Sequence, residues 1–101
     1  MTHRIVWREA ASADLEAIYD WVAERADPGI ALRFALRIEA ACDRLADFPL
    51  RGSPRADLGP GLRSIAFERA VTIFYSVEAT EVQIVRILHA RRDAAGAFAD
   101  D

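Results

Sequence analysis

A chain of 101 residues, of which 52% are hydrophobic and 29% charged, has the length of one domain, which we expect to span residues 1–101. A protein of this size buries only about 60–70% of the surface that its unfolded chain exposes, so a large enclosed cofactor pocket is not expected. No run approaches the roughly 20 apolar residues of a membrane span, and no signal peptide follows Met1, which predicts a soluble cytoplasmic protein. The single cysteine, Cys42, excludes an internal disulfide and a multi-cysteine zinc site, and we expect it to be buried in a helix.

Charge is distributed unevenly along the chain, although the net charge is only −3. Residues 9–47 carry nine acids against four arginines, whereas residues 48–92 carry seven arginines against four acids. The C-terminal half is therefore where we expect an anionic partner to bind. All 13 positively charged residues are arginines, which excludes the chemistry of a lysine base, a Schiff base or a phosphate-loop lysine.

The first half of the chain predicts one strand and two helices. His3–Trp7 contains branched and aromatic residues in weak alternation, which is typical of a short strand. Ser12 stands where a helix N-cap is expected, and Asp27-Pro28-Gly29 separates two stretches with helical spacing. The apolar positions are Leu15, Ile18, Tyr19 and Val22 in the first helix, and Ile30, Phe34, Ile38, Ala41 and Leu45, widened by Leu32 and Leu36, in the second. The pattern predicts a helical hairpin with a tight turn.

The second half predicts a loop followed by a meander of strands. Glycine and proline cluster in residues 51–61, which predicts a loop of about a dozen residues. Apolar residues then recur with a period of two, and the predicted strands are Leu62–Phe67, Val71–Val77 and Val82–His89. The C-terminal residues are expected to form a frayed turn of helix or a docked tail. The sum is an α+β fold of order β-α-α-β-β-β, with the helical hairpin packed on one face of a small, mainly antiparallel sheet.

Arg86 interrupts the apolar run of the last strand. It stands between Val85 and Ile87, where a buried cation without compensation would cost several kcal/mol. Arg86 must therefore face water, a carboxylate or a ligand. A solvated sheet face with internal pairing to Glu68 or Glu81 is the alternative to a binding role.

His89 ends the last strand beside Arg91 and Arg92, whose charges disfavour the imidazolium and suit a general base near neutral pH. The structural alternative is a histidine that hydrogen-bonds the backbone and shapes the turn. That alternative is favoured, because no second histidine or acid is placed to orient the ring. Since His3 and His89 lie at opposite ends of the sequence, neither a metal site nor a cofactor is predicted.

Trp21 lies beside Val22 and three residues after Ile18 on the first predicted helix. This spacing favours a place in the core over a place on its rim. An exposed tryptophan on a helix would instead be an anchor for a partner.

Several short motifs occur in order along the chain. They are Ala13–Tyr19 in the first helix, Leu45–Pro49 with Gly52 after the second, Leu62-Arg63, Ile73–Tyr75, and Val85–Asp93 at the end. Together they resemble the ParE/RelE superfamily of bacterial toxins from type II toxin–antitoxin systems, and the ParE branch in particular. The resemblance covers nearly the whole chain, and the ending Leu-His-x-x-x-Asp makes it fairly specific.

The resemblance implies a toxin that a ParD-like antitoxin holds inactive in a hetero-oligomer. The acidic, amphipathic C-terminal tail of such an antitoxin would wrap the helical hairpin and the sheet edge, and fold as it binds. A groove of arginines beside apolar helix positions would suit this tail, in agreement with the uneven charge. The candidate antitoxin-binding residues are Trp21, Arg63, Arg86, Arg91 and Arg92.

Two mechanisms occur within the superfamily. RelE-like members cleave messenger RNA on the ribosome with basic residues on the second and third strands, an arginine after the last strand and a tyrosine beyond it. This chain has Arg63 and Arg92 at two of the basic positions, but Ile65 and Thr72 where cations are wanted and Phe98 in place of the tyrosine. With substitutes from the last strand, the candidate catalytic residues of this alternative are Arg63, Arg86, His89 and Arg92.

ParE-like members lack that set and poison DNA gyrase by binding the protein, trapping it on cleaved DNA. Because this chain departs from the cleaving pattern in the same direction, the resemblance implies gyrase poisoning with no catalytic residues of its own. A third alternative is an interaction module that binds an antitoxin without being toxic.

Overall fold

Five strands form one mixed sheet in the computed structural model, which describes residues 2–92 and 94–99. The strands are β1 Arg4–Trp7, β2 Ser53–Pro54, β3 Leu62–Phe67, β4 Val71–Val77 and β5 Glu81–His89. Their order across the sheet is β1-β5-β4-β3-β2, with β1 parallel to β5 and the other neighbours antiparallel. The predicted first strand and the antiparallel meander are confirmed.

Two long helices and a short one accompany the sheet. They are α1 Glu9–Arg25, α2 Pro28–Asp43 and α3 Ala94–Ala99, and a single 3-10 turn, Arg44–Ala46, extends α2. The predicted hairpin of two helices and the α+β class are therefore confirmed. None of the helices in the described ranges is long and apolar enough to cross a membrane.

Local hydrogen bonds explain where α1 and α2 begin. The prediction that Ser12 caps α1 is wrong, because the helix begins earlier and the Ser12 N–H already donates to the Arg8 carbonyl at 3.1 Å. Asp27 caps α2 by accepting from the Ile30 N–H at 2.8 Å. Pro28 takes the first helical position, where its missing N–H is not needed. The break between the helices is thus also the start of the second one.

The main core lies between the helical hairpin and one face of the sheet. Its buried residues are Ala11, Ile18, Ile38, Cys42, Leu45, Val71, Ile73, Tyr75, Val82, Ile84 and Ile87. Cys42 is buried as predicted, and burial raises the pKa of its thiol to about 12, so the thiol stays protonated and unreactive at neutral pH. The prediction that Leu32 and Leu36 widen the apolar stripe of α2 is wrong. They are 52% and 53% exposed, since they lie one turn apart on a face turned away from the core.

The helix α3 packs on the opposite face of the sheet, against β4 and β5. Phe74 of β4 and Leu88 of β5 are buried there with Ala97. The Phe98 ring meets the Phe74 ring edge-on, with 5.1 Å between the centroids. Within the described residues 94–99 the chain forms a docked helix rather than a frayed turn, and Phe98 contributes packing.

The loop predicted for residues 51–61 contains the short edge strand β2, which pairs with the beginning of β3. The Gly52 N–H donates to the hydroxyl of the buried Tyr75 at 2.7 Å, which ties the loop to the centre of the sheet. A Cβ atom at Gly52 would lie 2.7 Å from the Ser64 carbonyl oxygen, so this close approach requires glycine.

Candidate functional site

A cleft of about 410 Å³ lies at the end of the sheet where β5 stops and β3 turns into β4. We call it the basic cleft, and its lining residues are Trp21, Arg69, Ala70, His89, Ala90 and Arg91. They come from the C-terminal part of α1, from the turn between β3 and β4 and from the chain just after β5. Residues far apart in the sequence thus meet where three elements end.

Trp21 stands in this cleft as an exposed aromatic residue. The prediction of a core position is wrong, because 46% of the residue is exposed and its neighbour Val22 packs against the core instead. The His89 ring contacts the indole edge-on at 5.2 Å between centroids, and the Arg25 guanidinium lies over it, 4.2 Å from the centroid. Arg25 also approaches Glu24 at 3.9 Å. The alternative reading, an exposed anchor for a partner, is the one that this exposure favours.

The turn between β3 and β4 brings Arg69 to the cleft at a conformational cost. Glu68 and Arg69 both have positive φ angles, 51° and 57°, and the Ala70 N–H donates to the Phe67 carbonyl at 3.0 Å. This is a type I′ turn, which asparagine and glycine adopt more easily than glutamate and arginine. The two side chains separate: Glu68 turns to Arg37 of α2, whereas Arg69 lines the cleft.

Glu68 accepts two hydrogen bonds from the Arg37 guanidinium, at 2.8 and 3.0 Å, and these hold the pKa of its carboxyl below the ordinary value. Because the pKa is lowered by folding, the pair stabilises the fold above the ordinary glutamate pKa and loses this effect as the pH falls through the folded-state pKa. Urea unfolding from pH 7 to 3 should therefore show the wild type slightly more stable than Glu68→Gln at neutral pH. The difference in the free energy of unfolding should disappear below about pH 4. A difference that does not change with pH would contradict this account.

Arg86 is bound inside the molecule. Its Nε and Nη2 atoms donate to the two carboxylate oxygens of Asp14 on α1, at 2.7 and 2.9 Å, and the Ile87 N–H donates to the same carboxylate at 3.0 Å. Only 17% of the Arg86 side chain and 12% of the Asp14 side chain are exposed. Of the three predicted surroundings of Arg86, water, a carboxylate or a ligand, the structure shows a carboxylate, and it is that of Asp14 rather than Glu68 or Glu81.

A β-bulge explains why Arg86 reaches α1. Phe74 pairs with Arg86, but the next residue of β4, Tyr75, pairs with Ile84, so Val85 has no opposite residue. The bulge displaces the local alternation of β5 and frees a backbone N–H that the Asp14 carboxylate satisfies. The antitoxin-binding and catalytic roles predicted for Arg86 need a guanidinium that is available to a ligand, and this one is held by Asp14.

Arg63 likewise holds the protein's own backbone. Its Nε donates to the Gly52 carbonyl and its Nη2 to the Leu50 carbonyl, both at 3.1 Å. It lies opposite Tyr75 near one end of β4, whereas His89 lies opposite Val71 at the other end. Four residues of strand, roughly 13 Å, separate these two positions. Arg63 and His89 therefore do not share a site.

His89 and Arg92 are the members of the predicted catalytic set that stay close together. The Arg92 N–H donates to the His89 carbonyl at 3.0 Å, so the backbone of His89 does shape the turn after β5. Within residues 2–92 and 94–99 the imidazole has no side-chain hydrogen bond, and its contact is the Trp21 ring. A general base without an orienting partner is poorly placed for proton transfer. In the same ranges, no group of three His, Cys, Asp or Glu side chains could hold a metal ion.

The structure thus brings together some of the predicted residues and adds others. Trp21, His89 and Arg91 line one cleft, and the exposed Arg92 follows them. The missed residues are Arg25, Arg69 and Asp14. A signal existed for Arg25, since it lies one helical turn after Trp21. Arg69 stood in a two-residue link between strands, where a side chain points outward, but its direction toward α1 depends on the tertiary fold.

Comparisons with known proteins agree on the family. Residues 5–94 match the family described as the ParE toxin of the type II toxin–antitoxin system parDE. The chain is 39% identical over 89 residues to Toxin RelE2 of Caulobacter vibrioides, covering 88% of this chain and 97% of that one. It is 33% identical over 92 residues to Toxin ParE3 of the same organism, with 91% of each chain covered. It is 34% identical over 95 residues to Toxin ParE1 of Mycobacterium tuberculosis, with 92% of this chain and 95% of that one covered.

Solved structures of toxins from toxin–antitoxin systems share the fold of this chain. The fold is similar to a chain of the chromosomal ParDE toxin–antitoxin system from Pseudomonas aeruginosa, with a TM-score of 0.79, 30% identity, and 89% of this chain and 98% of that one covered. It is also similar to a chain of the toxin–antitoxin complex RelBE2 from Mycobacterium tuberculosis. The TM-score is 0.61 and the identity 26%, with 88% of this chain and 99% of that one covered. Relatives of both names, ParE and RelE, therefore share this fold.

Proposed function

Because the chain belongs to the family of ParE toxins of type II toxin–antitoxin systems, we propose that it arrests growth by binding and poisoning DNA gyrase. The observation that carries this proposal is the separation of the side chains that RNA cleavage would need. Arg63 holds loop carbonyls, Arg86 holds Asp14, and His89 lies at the far end of β4 from Arg63. Cleavage of a phosphodiester requires such charges around one set of atoms. The geometry therefore supports binding rather than bond cleavage.

Purified gyrase provides the direct test. The chain is expected to inhibit DNA supercoiling at about micromolar concentration, as a standard protein–protein interface would allow, and to raise the amount of DNA that gyrase holds cleaved. The control is the same assay with the cognate antitoxin added, which should restore supercoiling. In cells, expression without the antitoxin should stop growth and induce a DNA-damage response with filamentation.

Two results would overturn this proposal. Cleavage of ribosome-bound messenger RNA by the pure chain, abolished in Arg92→Ala, would assign RNA cleavage instead. Normal growth together with unaffected gyrase would indicate a module that binds an antitoxin without being toxic.

The same proposal includes an antitoxin that covers the helical hairpin and the basic cleft. Apolar side chains stand exposed on both helices, and two exposed arginines follow β5 beside the cleft. The proposed contact residues are Trp21, Leu32, Leu36, Arg91 and Arg92. An acidic, amphipathic tail would meet the apolar and the positively charged groups together. We leave Arg63 and Arg86 out of the proposed interface, because their guanidinium groups bind groups of the toxin itself.

Charge reversal tests the antitoxin surface. Arg91→Glu is expected to weaken binding of the cognate antitoxin by about 2 kcal/mol, which is roughly 30-fold, as measured by calorimetry. Arg51→Glu makes the same change of charge on an exposed loop at the other end of the sheet, and it should leave affinity within about twofold. Equal losses in both variants would indicate a general charge effect and would remove Arg91 from the interface.

A further inference from the structure

We infer that the basic cleft is a binding site for a nucleotide of single-stranded DNA, with the base against Trp21 and the phosphate between Arg69 and Arg91. This inference deepens the proposed function and rests on it for the choice of DNA, since a toxin that acts on gyrase works beside DNA strands. The recognition itself is argued from the cleft.

The cleft is positively charged although the chain as a whole is negative. Arg69 and Arg91 line it, and Arg25 lies beside it on the indole ring. Among the described residues, no carboxylate lines the cleft. Glu68, the neighbour of Arg69 in the sequence, is held away by two hydrogen bonds to Arg37. Arg25 is partly neutralised by Glu24 at 3.9 Å, so the guanidinium groups offered to phosphate oxygens are those of Arg69 and Arg91.

The cleft also offers an aromatic ring in a defined position. The indole of Trp21 is 46% exposed, and the edge of the His89 ring and the Arg25 guanidinium restrict its movement. The volume of about 410 Å³ lies in the range of small-ligand sites. A base stacked on an aromatic side chain, with arginines along the backbone, is the usual mode of single-strand binding.

The backbone around the cleft argues against a peptide strand as its ligand. The Ala90 N–H donates to the Ala70 carbonyl at 3.0 Å, and the Arg92 N–H donates to the His89 carbonyl at 3.0 Å. A peptide that adds as a strand needs free backbone donors and acceptors, and these two donors are already used. Strand addition at these two positions is therefore blocked, which favours recognition by side chains. An antitoxin that covers Trp21 and Arg91 from the helices would compete with the DNA strand.

The turn that carries Arg69 supports a binding role independently. Position 69 has φ 57° in a type I′ turn, where glycine is the favoured residue. The chain nevertheless places an arginine there, and that side chain lines the cleft. Strain of this kind is expected where a side chain serves a function.

Arg69→Gly provides a test in which loss of folding cannot explain loss of binding. Glycine adopts the left-handed conformation without strain, so the thermal stability of the variant should be equal to or higher than that of the wild type. The probe is a fluorescein-labelled single strand of DNA of about 12 nucleotides, and anisotropy measures its binding to the full chain at low salt. We expect Arg69→Gly to bind at least about fivefold more weakly, and the control Arg51→Glu to bind within about twofold of the wild type.

The indole itself reports on stacking. In a Trp7→Phe background, Trp21 is the remaining tryptophan, and its fluorescence should be quenched on addition of the strand. A strand of the same length in which abasic sites replace the bases should bind more weakly and leave the fluorescence unchanged. Equal binding of both strands, or unchanged affinity in Arg69→Gly, would overturn the inference. Tighter binding of RNA of the same sequence would overturn the assignment to DNA.

The failures of this inference and of the proposed function are distinguishable. Inhibition of gyrase by a chain that does not bind the strand would remove the DNA site and leave gyrase poisoning in place. Binding of the strand through Trp21 and Arg69 without any effect on gyrase would support the site and remove the proposed target.

Discussion

Asp14→Ala is expected to lower the free energy of unfolding by about 3 kcal/mol. The Asp14 carboxylate accepts from the Arg86 guanidinium at 2.7 and 2.9 Å and from the Ile87 N–H at 3.0 Å, with little exposure to water. Removing Asp14 takes a bidentate carboxylate away from a largely desolvated guanidinium and leaves the Ile87 N–H without this acceptor, which costs more than the pair contributes. Since small domains have a stability of about 5–15 kcal/mol, the variant should unfold at a clearly lower urea concentration.

Asp20→Ala is the matched control, because Asp20 is exposed on the same helix and makes no side-chain bond within the described part of the chain. Its effect should stay within about 0.5 kcal/mol. Asp14→Asn separates charge from hydrogen bonding, since an amide oxygen still accepts from the Ile87 N–H. Its loss of unfolding free energy should lie between those of Asp14→Ala and Asp20→Ala. Asp14→Ala with the stability of Asp20→Ala would show that α1 and β5 do not depend on this pair.

The spacing of apolar residues is sufficient to predict the strands and helices that bury one face in the core. The strands β3 and β4 have the predicted bounds, because alternation of apolar residues continues to their ends. The break at Asp27-Pro28-Gly29 marks the turn between the helices because a cap and a proline act locally. Ser12 misleads because it resembles a cap, whereas the extended backbone of Arg8 begins the helix one turn earlier.

Contacts between distant elements were beyond sequence reasoning. The partner of Arg86 is 72 residues away, and the pair forms because a bulge directs both Arg86 and the Ile87 N–H to α1. Local rules describe a strand as strictly alternating, so a residue inserted in one strand cannot be read from the sequence alone. The correct inference was the general one, that a cation in an apolar strand needs a carboxylate, water or a ligand.

The dependence on tertiary contacts also explains which residues of the candidate site the sequence predicts and which it does not. Trp21, His89 and Arg91 were identified by residue type, and the fold brings them into one cleft. Arg63 and Arg86 have the same residue type as Arg91, yet their guanidinium groups bind a loop and a helix of the protein itself. An excess of arginine in one half of the chain therefore overstates the charge available to a partner. Exposure of each guanidinium, and not its position in the sequence, separates the arginines that hold the fold from those that bind.

Gly52→Ala is expected to destabilise the protein by about 2–4 kcal/mol, because the added methyl group has no space and breaks a buried contact. Its Cβ would lie 2.7 Å from the Ser64 carbonyl oxygen and 2.7 Å from the Tyr75 hydroxyl. The first of these atoms belongs to the backbone of β3, and the second to a side chain with no exposed surface. Neither can withdraw without shifting the sheet. Chemical unfolding of the variant measures the effect, and Gly59→Ala is the control, since the new Cβ would meet only the Leu62 side chain at 3.1 Å.

A double-mutant cycle with Tyr75→Phe tests the cause. The phenylalanine removes the hydroxyl that accepts from the Gly52 N–H, at a cost of about 1–3 kcal/mol for the unsatisfied donor. In that background Gly52→Ala should cost less than in the wild type, because the contact with the hydroxyl is gone, whereas those with the Ser64 carbonyl and the ring Cε1 remain. Strictly additive effects would show that the Tyr75 hydroxyl takes no part in the clash and does not hold the loop against the sheet.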